Sequence, residues 1–346
     1  MTLPISRTYA PMEAKLVDAL PTGGEWQYEP KWDGFRCLAF RDGDRVDLMS
    51  KAGKPLARYF PELVATLRAV KAKRFVLDGE IVIPHEGILS FDALLLRIHP
   101  AKSRIATLSE SSPATLVVFD LLVDAKGTSL VKRPLAERRT RLEAFVAANV
   151  TAGVAIRLSP ATSKMATVKT WFRSVGGGLD GVIAKRLDLA YLGGTRDGMQ
   201  KMKHMRTAEC VVGGFRYASK GKVVGSLLLG LYDNGGLLHH VGFTSNVPTA
   251  DKAAVTVRLE KLKRSPGFTG QAPGGPSRWS TERSSQWEPL APKLVVEVQY
   301  DHFSGGRFRH GTSFLRWRPD KPPARCTIAQ VEQEGRSALT LLPRTR

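Results

Sequence analysis

Short stretches in which apolar and polar residues alternate recur through the first 205 residues, and this two-residue period predicts β-strands. Residues 26–40 and 44–50 alternate in this way and are joined by Arg-Asp-Gly-Asp, a sequence typical of a hairpin turn. Further strands are predicted at Arg74–Pro84, where an Asp-Gly pair splits the run, at Thr115–Val123 and at Leu179–Arg186.

Helical spacing of apolar residues predicts helices at FPELVATLRAVKA and, from about Pro134, at PLAERRTRLEAFVAAN. The pattern changes near residues 204–207. Short strands separated by glycine-rich turns follow, with one helical stretch (TADKAAVTVRLEKLKR), a loop (PGFTGQAPGGPSRW) and another strand (KLVVEVQYDHF). Several strands and one helix in this span predict a small β-barrel such as an OB-fold.

The charge of the chain points to a polyanionic partner. Its 346 residues carry a formal net charge of +20, and +10 lies on each side of Met205. A surplus shared by two folded parts favours a polyanion held between them, the alternative being a generally basic protein. No basic amphipathic helix, membrane-spanning run or secretory signal stands out.

The three cysteines are far apart in the sequence, at Cys37, Cys210 and Cys326. No CxxC pair or Cys/His cluster occurs, which argues against a zinc site. We expect each cysteine to be a small core residue in a protein of the reducing cytosol.

The stretch YEPKWDGFRCLAF places Lys31 among aromatic residues, just before Asp33 and Gly34. Its amine could act as a nucleophile if it were neutral, and burial, a metal ion or neighbouring cations would lower its pKa. Lys201 and Lys203 are candidates for such neighbours, because both would lie on one face of a strand.

Four carboxylates at predicted strand ends could hold Mg²⁺ together with substrate phosphates: Asp33, Asp78, Glu80 and Asp180. A nucleophilic lysine, carboxylates and further cations suit phosphoryl transfer, and no Walker A motif is present. Each of these features alone is weak evidence for function, since an Asp-Gly pair is more often a turn and Phe119 by itself would be a core aromatic. The order in which they occur along the chain is more specific evidence.

The segments EPKWDGFR, VLDGEIV, VVFDLL, LDGVIAKR, MQKMK and RWRPDKPP resemble motifs I, III, IIIa, IV, V and VI of the covalent nucleotidyltransferases. Within this superfamily the chain looks like the ATP-dependent DNA ligases, most closely the bacterial ligase C type and the ligase module of ligase D. RTAECVVGGFR and FRHGTSFLRWRPDKPPARC resemble the barrel of those enzymes. The resemblance covers nearly the whole chain.

The resemblance implies an α+β fold of two domains. Residues 1–205 would form an adenylylation (nucleotidyltransferase) domain of antiparallel sheets with flanking helices, and residues 206–346 an OB-fold β-barrel. The enzyme would seal 5′-phosphate/3′-OH nicks in DNA through lysyl-AMP and DNA-adenylate intermediates, in DNA repair. It would use ATP and Mg²⁺ or Mn²⁺, and ATP rather than NAD⁺ is expected because the zinc cysteines of the NAD⁺-dependent ligases are missing.

Roles follow from the resemblance position by position. Lys31 would become lysyl-AMP, and Glu80 and Asp180 would bind metal. The nucleotide would be held by Glu29 at the adenine edge, Arg36 and Glu80 at the sugar, Phe119 by stacking, Lys185, Lys201 and Lys203 at the phosphates, and Arg318, Asp320 and Lys321 at the leaving pyrophosphate. Arg36 and Lys51 would contact the nick.

Two positions depart from the family pattern. Asp180 stands where a glutamate is usual before the glycine of motif IV, and Lys51 stands where an arginine is common, so the two-pronged phosphate contact is lost. Two alternatives stay open: an RNA-capping guanylyltransferase or RNA ligase, and a non-catalytic nucleic-acid-binding module. As a ligase, the chain would be a monomer on nicked double-stranded DNA, bacterial, cytoplasmic and nucleoid-associated, without membrane contact.

Overall fold

The computed structural model describes residues 3–99, 101–151, 153–175, 179–219, 221–274, 286–332 and 338–342. Their contacts divide them into two compact units. The first runs to His204 and takes in residues 338–342, and the second begins at Met205 and runs to residue 332. The sequence-based division had placed residues 206–346 in the second domain. No helix in these ranges has the length and apolar character needed to cross a membrane.

The first unit contains two main sheets and five helices among its described residues. Its strands are β1 (Lys15–Leu16), β2 (Trp26–Pro30), β3 (Phe35–Asp42), β4 (Arg45–Ser50), β5 (Arg74–Val82), β6 (Pro84–His85), β7 (Ile88–Leu89), β8 (Thr115–Val123), β9 (Ile156–Leu158), β10 (Gly181–Arg186) and β11 (Met199–Lys203). Its helices are α1 (Pro61–Ala69), α2 (Phe91–Arg97), α3 (Lys102–Ser111), α4 (Leu135–Asn149) and α5 (Met165–Val175).

The two sheets have the orders β1-β11-β10-β2 and β4-β3-β5-β8-β9, and most of their pairings are antiparallel. Successive residues of β3 point to opposite faces, as the alternation predicted. Cys37 and Ala39 join a core that also holds α1 and α4 residues, whereas Leu38 and Phe40 join a second core with Met199 of β11. The larger sheet therefore buries both faces.

Most elements predicted for this unit are confirmed, but β5 is one continuous strand. The Asp78-Gly79 pair does not split it; instead the pairing of β5 with β8 shifts register there. A Cβ on Gly79 would lie 2.6 Å from the Val117 carbonyl oxygen, so glycine allows close approach of β8 rather than a turn.

Residues 338–342 pack on the first unit. Ala338 is buried in a core with Tyr28, Trp32 and Phe119, and Leu341 and Leu342 contact the same core. The end of the described chain thus supports the strands that carry the candidate site.

The second unit is mainly β-structure, as predicted. Its strands are β12 (Arg206–Tyr217), β13 (Val224–Tyr232), β14 (Leu238–Thr244), β15 (Glu288–Pro289), β16 (Val295–Tyr300), β17 (Phe303–Ser304), β18 (Arg307–Phe308) and β19 (Ser313–Trp317). One helix, α6 (Lys252–Glu260), is the predicted one, and residues 275–279 of the predicted loop lie outside the described residues.

The main sheet of this unit has the order β14-β13-β12-β16-β19, and β15 also pairs with β12. Its two edges meet in the described residues at one parallel bridge, Thr244–Thr312, which the Thr312 side chain supports by donating to the Phe243 carbonyl at 3.1 Å. The arrangement is of the OB-fold type, but apart from this single bridge the strand pairings of the described residues do not close the predicted barrel. The fold is therefore α+β with a C-terminal OB-fold-type unit.

Candidate active site

Lys31 lies where β2 ends against β10. Its backbone N–H donates to the carbonyl of Gly181 at 2.9 Å, directly after the last β2 residue, Pro30. A Cβ on Gly181 would lie 2.2 Å from the carbonyl oxygen of Met202, so only glycine lets β10 and β11 approach this closely. The residue before this glycine, Asp180, forms an ion pair with the Lys31 amine.

Carboxylates keep the Lys31 amine protonated when no nucleotide is bound. Burial alone would lower the pKa of Lys31, but the charges of Asp180, Glu80 and Asp33 outweigh burial and raise it above its ordinary value. Nucleophilic attack therefore requires that this proton first be removed.

Lys201 and Lys203 are two residues apart on β11, so their side chains point to the same side of the strand. Burial and the positive charges of Lys31 and Lys203 lower the pKa of Lys201. The net shift on Lys31 itself is upward in the protein without nucleotide, because the carboxylates outweigh the effects that lower its pKa.

The acidic groups around Lys31 suit a divalent cation. Oxygen atoms of Asp33 and Asp180 lie within 4.8 Å of each other. Burial raises the pKa of Glu80 to about 7, against the attraction of Arg36 and Lys31, as expected for a carboxylate that lacks its full counter-charge. Oxygen donors of this kind fit Mg²⁺ or Mn²⁺, so the residues present are compatible with the metal site predicted at Glu80 and Asp180.

One pocket of the first unit brings most of the predicted site residues together. Those that line it are Glu29, Lys31, Arg36, Lys51, Glu80, Phe119, Lys185 and Lys201. The segment Pro11–Ala14 also lines this pocket, which no sequence signal indicated.

Glu29, Phe119 and Lys185 form one end of the pocket. Glu29 is 2% exposed and accepts from Lys185 Nζ at 2.9 Å and from Gln27 Nε2 at 2.7 Å. Lys185 Nζ lies 4.4 Å from the centre of the Phe119 ring, and the guanidinium carbon of Arg36 lies 4.5 Å from it. The sequence had assigned Lys185 to the phosphates, but in the structure it pairs with Glu29 beside the aromatic ring.

Asp78 holds Arg36 in place. Its carboxylate accepts from Arg36 Nε at 2.6 Å and from Arg36 Nη2 at 2.7 Å. Tyr191 Oη donates to the same carboxylate at 2.6 Å and accepts from the Met12 backbone N–H at 3.0 Å. Asp78 had been considered a metal ligand, whereas in the structure it orients a cation, and Tyr191 was missed because it lies in no motif.

Lys51 lies in the turn after β4 and reaches the pocket edge. Its amine pairs with Glu13 at 3.0 Å, and Arg196 pairs with the same carboxylate at 3.4 Å. The hydrogen bond from Lys51 lowers the pKa of Glu13. An exposed, paired lysine could contact nucleic acid only after exchanging this partner.

The residues of motif VI form a separate cluster in the second unit. Arg318 donates to Asp320 at 2.7 and 2.9 Å and pairs with Glu209 and, at 3.6 Å, with Glu297. The hydrogen bond from Arg318 lowers the pKa of Asp320 to about 2. Lys321 pairs with Glu209, so Asp320 and Lys321 are not paired with each other.

Comparisons with known proteins agree with this architecture. The family described as "ATP dependent DNA ligase domain" matches residues 11–203, more than half of the chain, and "ATP dependent DNA ligase C terminal region" matches residues 220–321. DNA ligase C2 of Mycolicibacterium smegmatis is 45% identical over 98% of both chains. The multifunctional non-homologous end joining protein LigD of Mycobacterium bovis is 32% identical over 87% of this chain and 37% of its own.

A solved Lig E DNA ligase shares the fold, with a TM-score of 0.52 at 17% identity over 89% of this chain and 99% of that chain. The family match and the identity along nearly the full length of a ligase C point to the same conclusion. The chain belongs to the ATP-dependent DNA ligases.

Proposed function

We propose that this DNA ligase seals nicks in double-stranded DNA in three steps that begin at Lys31. The amine attacks the α-phosphorus of ATP, a P–N bond forms, and pyrophosphate leaves. AMP then passes from Lys31 to the 5′-phosphate of the nick. The 3′-hydroxyl finally attacks that phosphate and AMP leaves, so the phosphodiester bond is closed.

The observation that carries the proposal is the placement of Lys31 beside one pocket with a stacking ring, a buried acceptor and several cations. Phe119 would stack on adenine, and Glu29 would accept from its amino group. Lys185, bonded to Glu29, would lie at the base rather than at the phosphates. Arg36, which Asp78 holds through hydrogen bonds, would contact the sugar. Lys201 and Lys203 would contact the phosphates.

Proton removal from Lys31 is part of the first step. Nζ donates to Asp180, which makes that carboxylate the nearest acceptor for the proton. A divalent cation held by Glu80 and Asp180 would neutralise phosphate charge and lower the pKa of the amine. Glu80, with a pKa of about 7, would be half ionised near neutral pH before any ligand binds.

The remaining assignments concern substrate and setting. Arg318, Asp320 and Lys321 would orient the leaving pyrophosphate, and Lys51 and Arg36 would contact the nick. We propose a monomer acting in bacterial DNA repair on the nucleoid, in the cytoplasm. The charge of +20, shared by both halves of the sequence, supports a DNA duplex as the partner.

A sealing assay tests this function. A duplex with one 5′-phosphorylated nick, incubated with ATP and Mg²⁺, should yield the joined strand. A nick without the 5′-phosphate should stay open, because AMP has no acceptor. Joining without ATP by protein freed of bound AMP, or no joining of the phosphorylated nick, would contradict the proposal.

A further inference from the structure

Arg139, on α4, is buried next to the end of the pocket that Glu29, Phe119 and Lys185 form, and it does not line the pocket itself. The residue is 8% exposed. Its Nε donates to Glu143 Oε1 at 2.6 Å, and its Nη2 donates to the Ser159 carbonyl at 2.8 Å. Its Nη1 finds no hydrogen-bond acceptor in the described ranges and lies 4.0 Å from Glu29 Oε1.

Ser159 connects Arg139 to both sides of the pocket. Its backbone N–H donates to the Val118 carbonyl at 2.8 Å, one residue before Phe119. Its hydroxyl accepts from Trp32 Nε1 at 2.9 Å, one residue after Lys31. The guanidinium of Arg139 is thereby fixed against the strand that carries the stacking ring and the segment that carries the nucleophile.

A buried guanidinium N–H without an acceptor is unfavourable. The carboxylate oxygen near Nη1 is Glu29 Oε1, which makes it the candidate acceptor. Glu29 Oε1 is now held at 2.7 Å by Gln27. Hydrogen bonds in an active site are commonly longer in the free enzyme and shorten when substrate binds. A small shift of the Glu29 carboxylate on binding a base would bring Oε1 within reach of Nη1.

We propose that Arg139 is a positioning residue that fixes the Glu29 carboxylate and thereby sets the preference for adenine. This inference rests on the proposed reading of the base by Glu29. Arg139 touches the nucleotide only through Glu29, while Lys185 holds the other carboxylate oxygen at 2.9 Å.

Base chemistry explains why the orientation matters. Adenine presents an amino group at position 6, whereas guanine presents a carbonyl oxygen there and an amino group at position 2. A carboxylate fixed at position 6 accepts from adenine and repels guanine. A carboxylate free to turn can instead accept from the amino group of guanine, so loss of the Arg139 contact weakens selection.

The test compares rates of lysyl-nucleotide formation with ATP, with GTP and with purine riboside triphosphate, which lacks the 6-amino group. The parent should favour ATP over the purine analogue by about tenfold, the usual scale for one charge-assisted hydrogen bond. Arg139→Met should shrink this preference to about twofold and raise relative use of GTP. Glu143→Gln, which changes only the solvent-side partner of Arg139, should keep the parent preference.

Arg139→Met with slower reaction but an unchanged ATP preference would overturn the inference, since Arg139 would then only support the fold. Arg139→Gln answers the same question if the methionine variant does not fold, because its amide can still donate to the Ser159 carbonyl but brings no positive charge to Glu29. Glu29→Met separates the proposed function of Glu29 from that of Arg139, because methionine has no carboxylate or carbonyl oxygen to accept from the base. A parent preference retained in Glu29→Met contradicts base reading by Glu29 itself, whereas its loss there and retention in both Arg139 variants contradicts only the role of Arg139.

Discussion

Single residues in and around the proposed nucleotide pocket restrain one another through shared carboxylates. Asp78 is fully buried and binds both Arg36 and Tyr191. If Arg36 moved, it would lose its hydrogen bonds to Asp78 and its contact with the Phe119 ring. Tyr191 also holds the backbone of Met12, which lines the pocket. The position of Arg36 therefore depends on Tyr191, which is not among the residues that line the pocket.

Tyr191→Phe should raise the KM for ATP in lysyl-AMP formation severalfold, because Asp78 loses a hydrogen bond that helps to fix Arg36. The free energy of unfolding should fall by about 2 kcal/mol, since a hydrogen bond to a charged group is lost. Tyr9→Phe is the control, because its hydroxyl lies against the Tyr191 backbone carbonyl, at 3.4 Å, rather than against Asp78. A parental KM in Tyr191→Phe would mean that Asp78 holds Arg36 unaided.

The sequence could indicate residues whose chemistry is carried by a motif, such as Lys31 and Phe119. The sequence could not indicate which partner each charged side chain would bind. Asp78 was placed among possible metal ligands because a carboxylate next to glycine has that chemistry, yet its partner is a cation 42 residues earlier in the chain. Tyr191 and Arg139 act through contacts set by the tertiary fold, so no local pattern marks them.

Strands and helices could be predicted from the spacing of apolar residues more directly than the contacts of the site could. The predicted strand segments became β3, β5, β8 and β16, and α4 starts after Pro134. The Asp-Gly pair in β5 misled the prediction, because a glycine needed for close approach of a neighbouring strand looks the same as a glycine needed for a turn.

His240 on β14 is a buried polar group within the OB-type sheet. Burial and the charges of Arg307 and Arg216 lower its pKa to about 3. Its Nδ1 lies 3.3 Å from Arg307 Nη2 and accepts from it, so the folded unit holds a neutral imidazole. Unfolding restores the ordinary pKa of 6.5, and the unfolded chain then binds a proton that the folded chain does not.

The second unit should therefore lose stability as the pH falls below 6.5, by about 1.4 kcal/mol per pH unit from this group. His240→Asn keeps an acceptor for Arg307 but cannot titrate. Urea titrations at pH 7.5 and 5.0, read by proteolysis within the second unit, should show a smaller loss for the variant by about 2 kcal/mol. Equal losses in parent and variant would show that His240 already binds its proton in the folded state.

The whole molecule combines two basic units, and the first is completed by residues 338–342 from beyond the second. Simple truncation after residue 205 would expose the core around Trp32 and Phe119 that Ala338 covers. The first unit alone is therefore best tested as a shortened protein in which a short flexible linker joins residue 204 to residue 338.

Binding of the full chain to nicked duplex should weaken steeply with salt, with a log–log slope of about −0.9 per phosphate contact. The linked first unit alone should bind less tightly and with a shallower slope, because it lacks the cations of the second unit. Filter binding from low to moderate salt measures both quantities. The same slope and affinity in the shortened protein would contradict shared binding of the duplex.

Asp320→Ala combined with Lys321→Ala should stop lysyl-AMP formation but spare sealing of a nick that already carries 5′-AMP, because no pyrophosphate leaves in that step. Arg316→Ala, an exposed cation on β19 paired with Glu297, is the matched control and should keep both activities. The melting curve should stay close to that of the parent, since Asp320 is 63% and Lys321 27% exposed and ion pairs that face solvent contribute about 0–1 kcal/mol each. Equal loss of both activities would assign these residues to the fold or to DNA.

The central claim is that Lys31 carries AMP. Protein freed of bound nucleotide and incubated with ATP and Mg²⁺ should gain one AMP by intact mass, and peptide mapping should place the acid-labile bond on Lys31. Lys31→Ala and Lys31→Arg should gain none, because alanine has no amine and a guanidinium stays protonated. AMP on another lysine, or an unmodified parent protein that still seals nicks with ATP, would contradict the account.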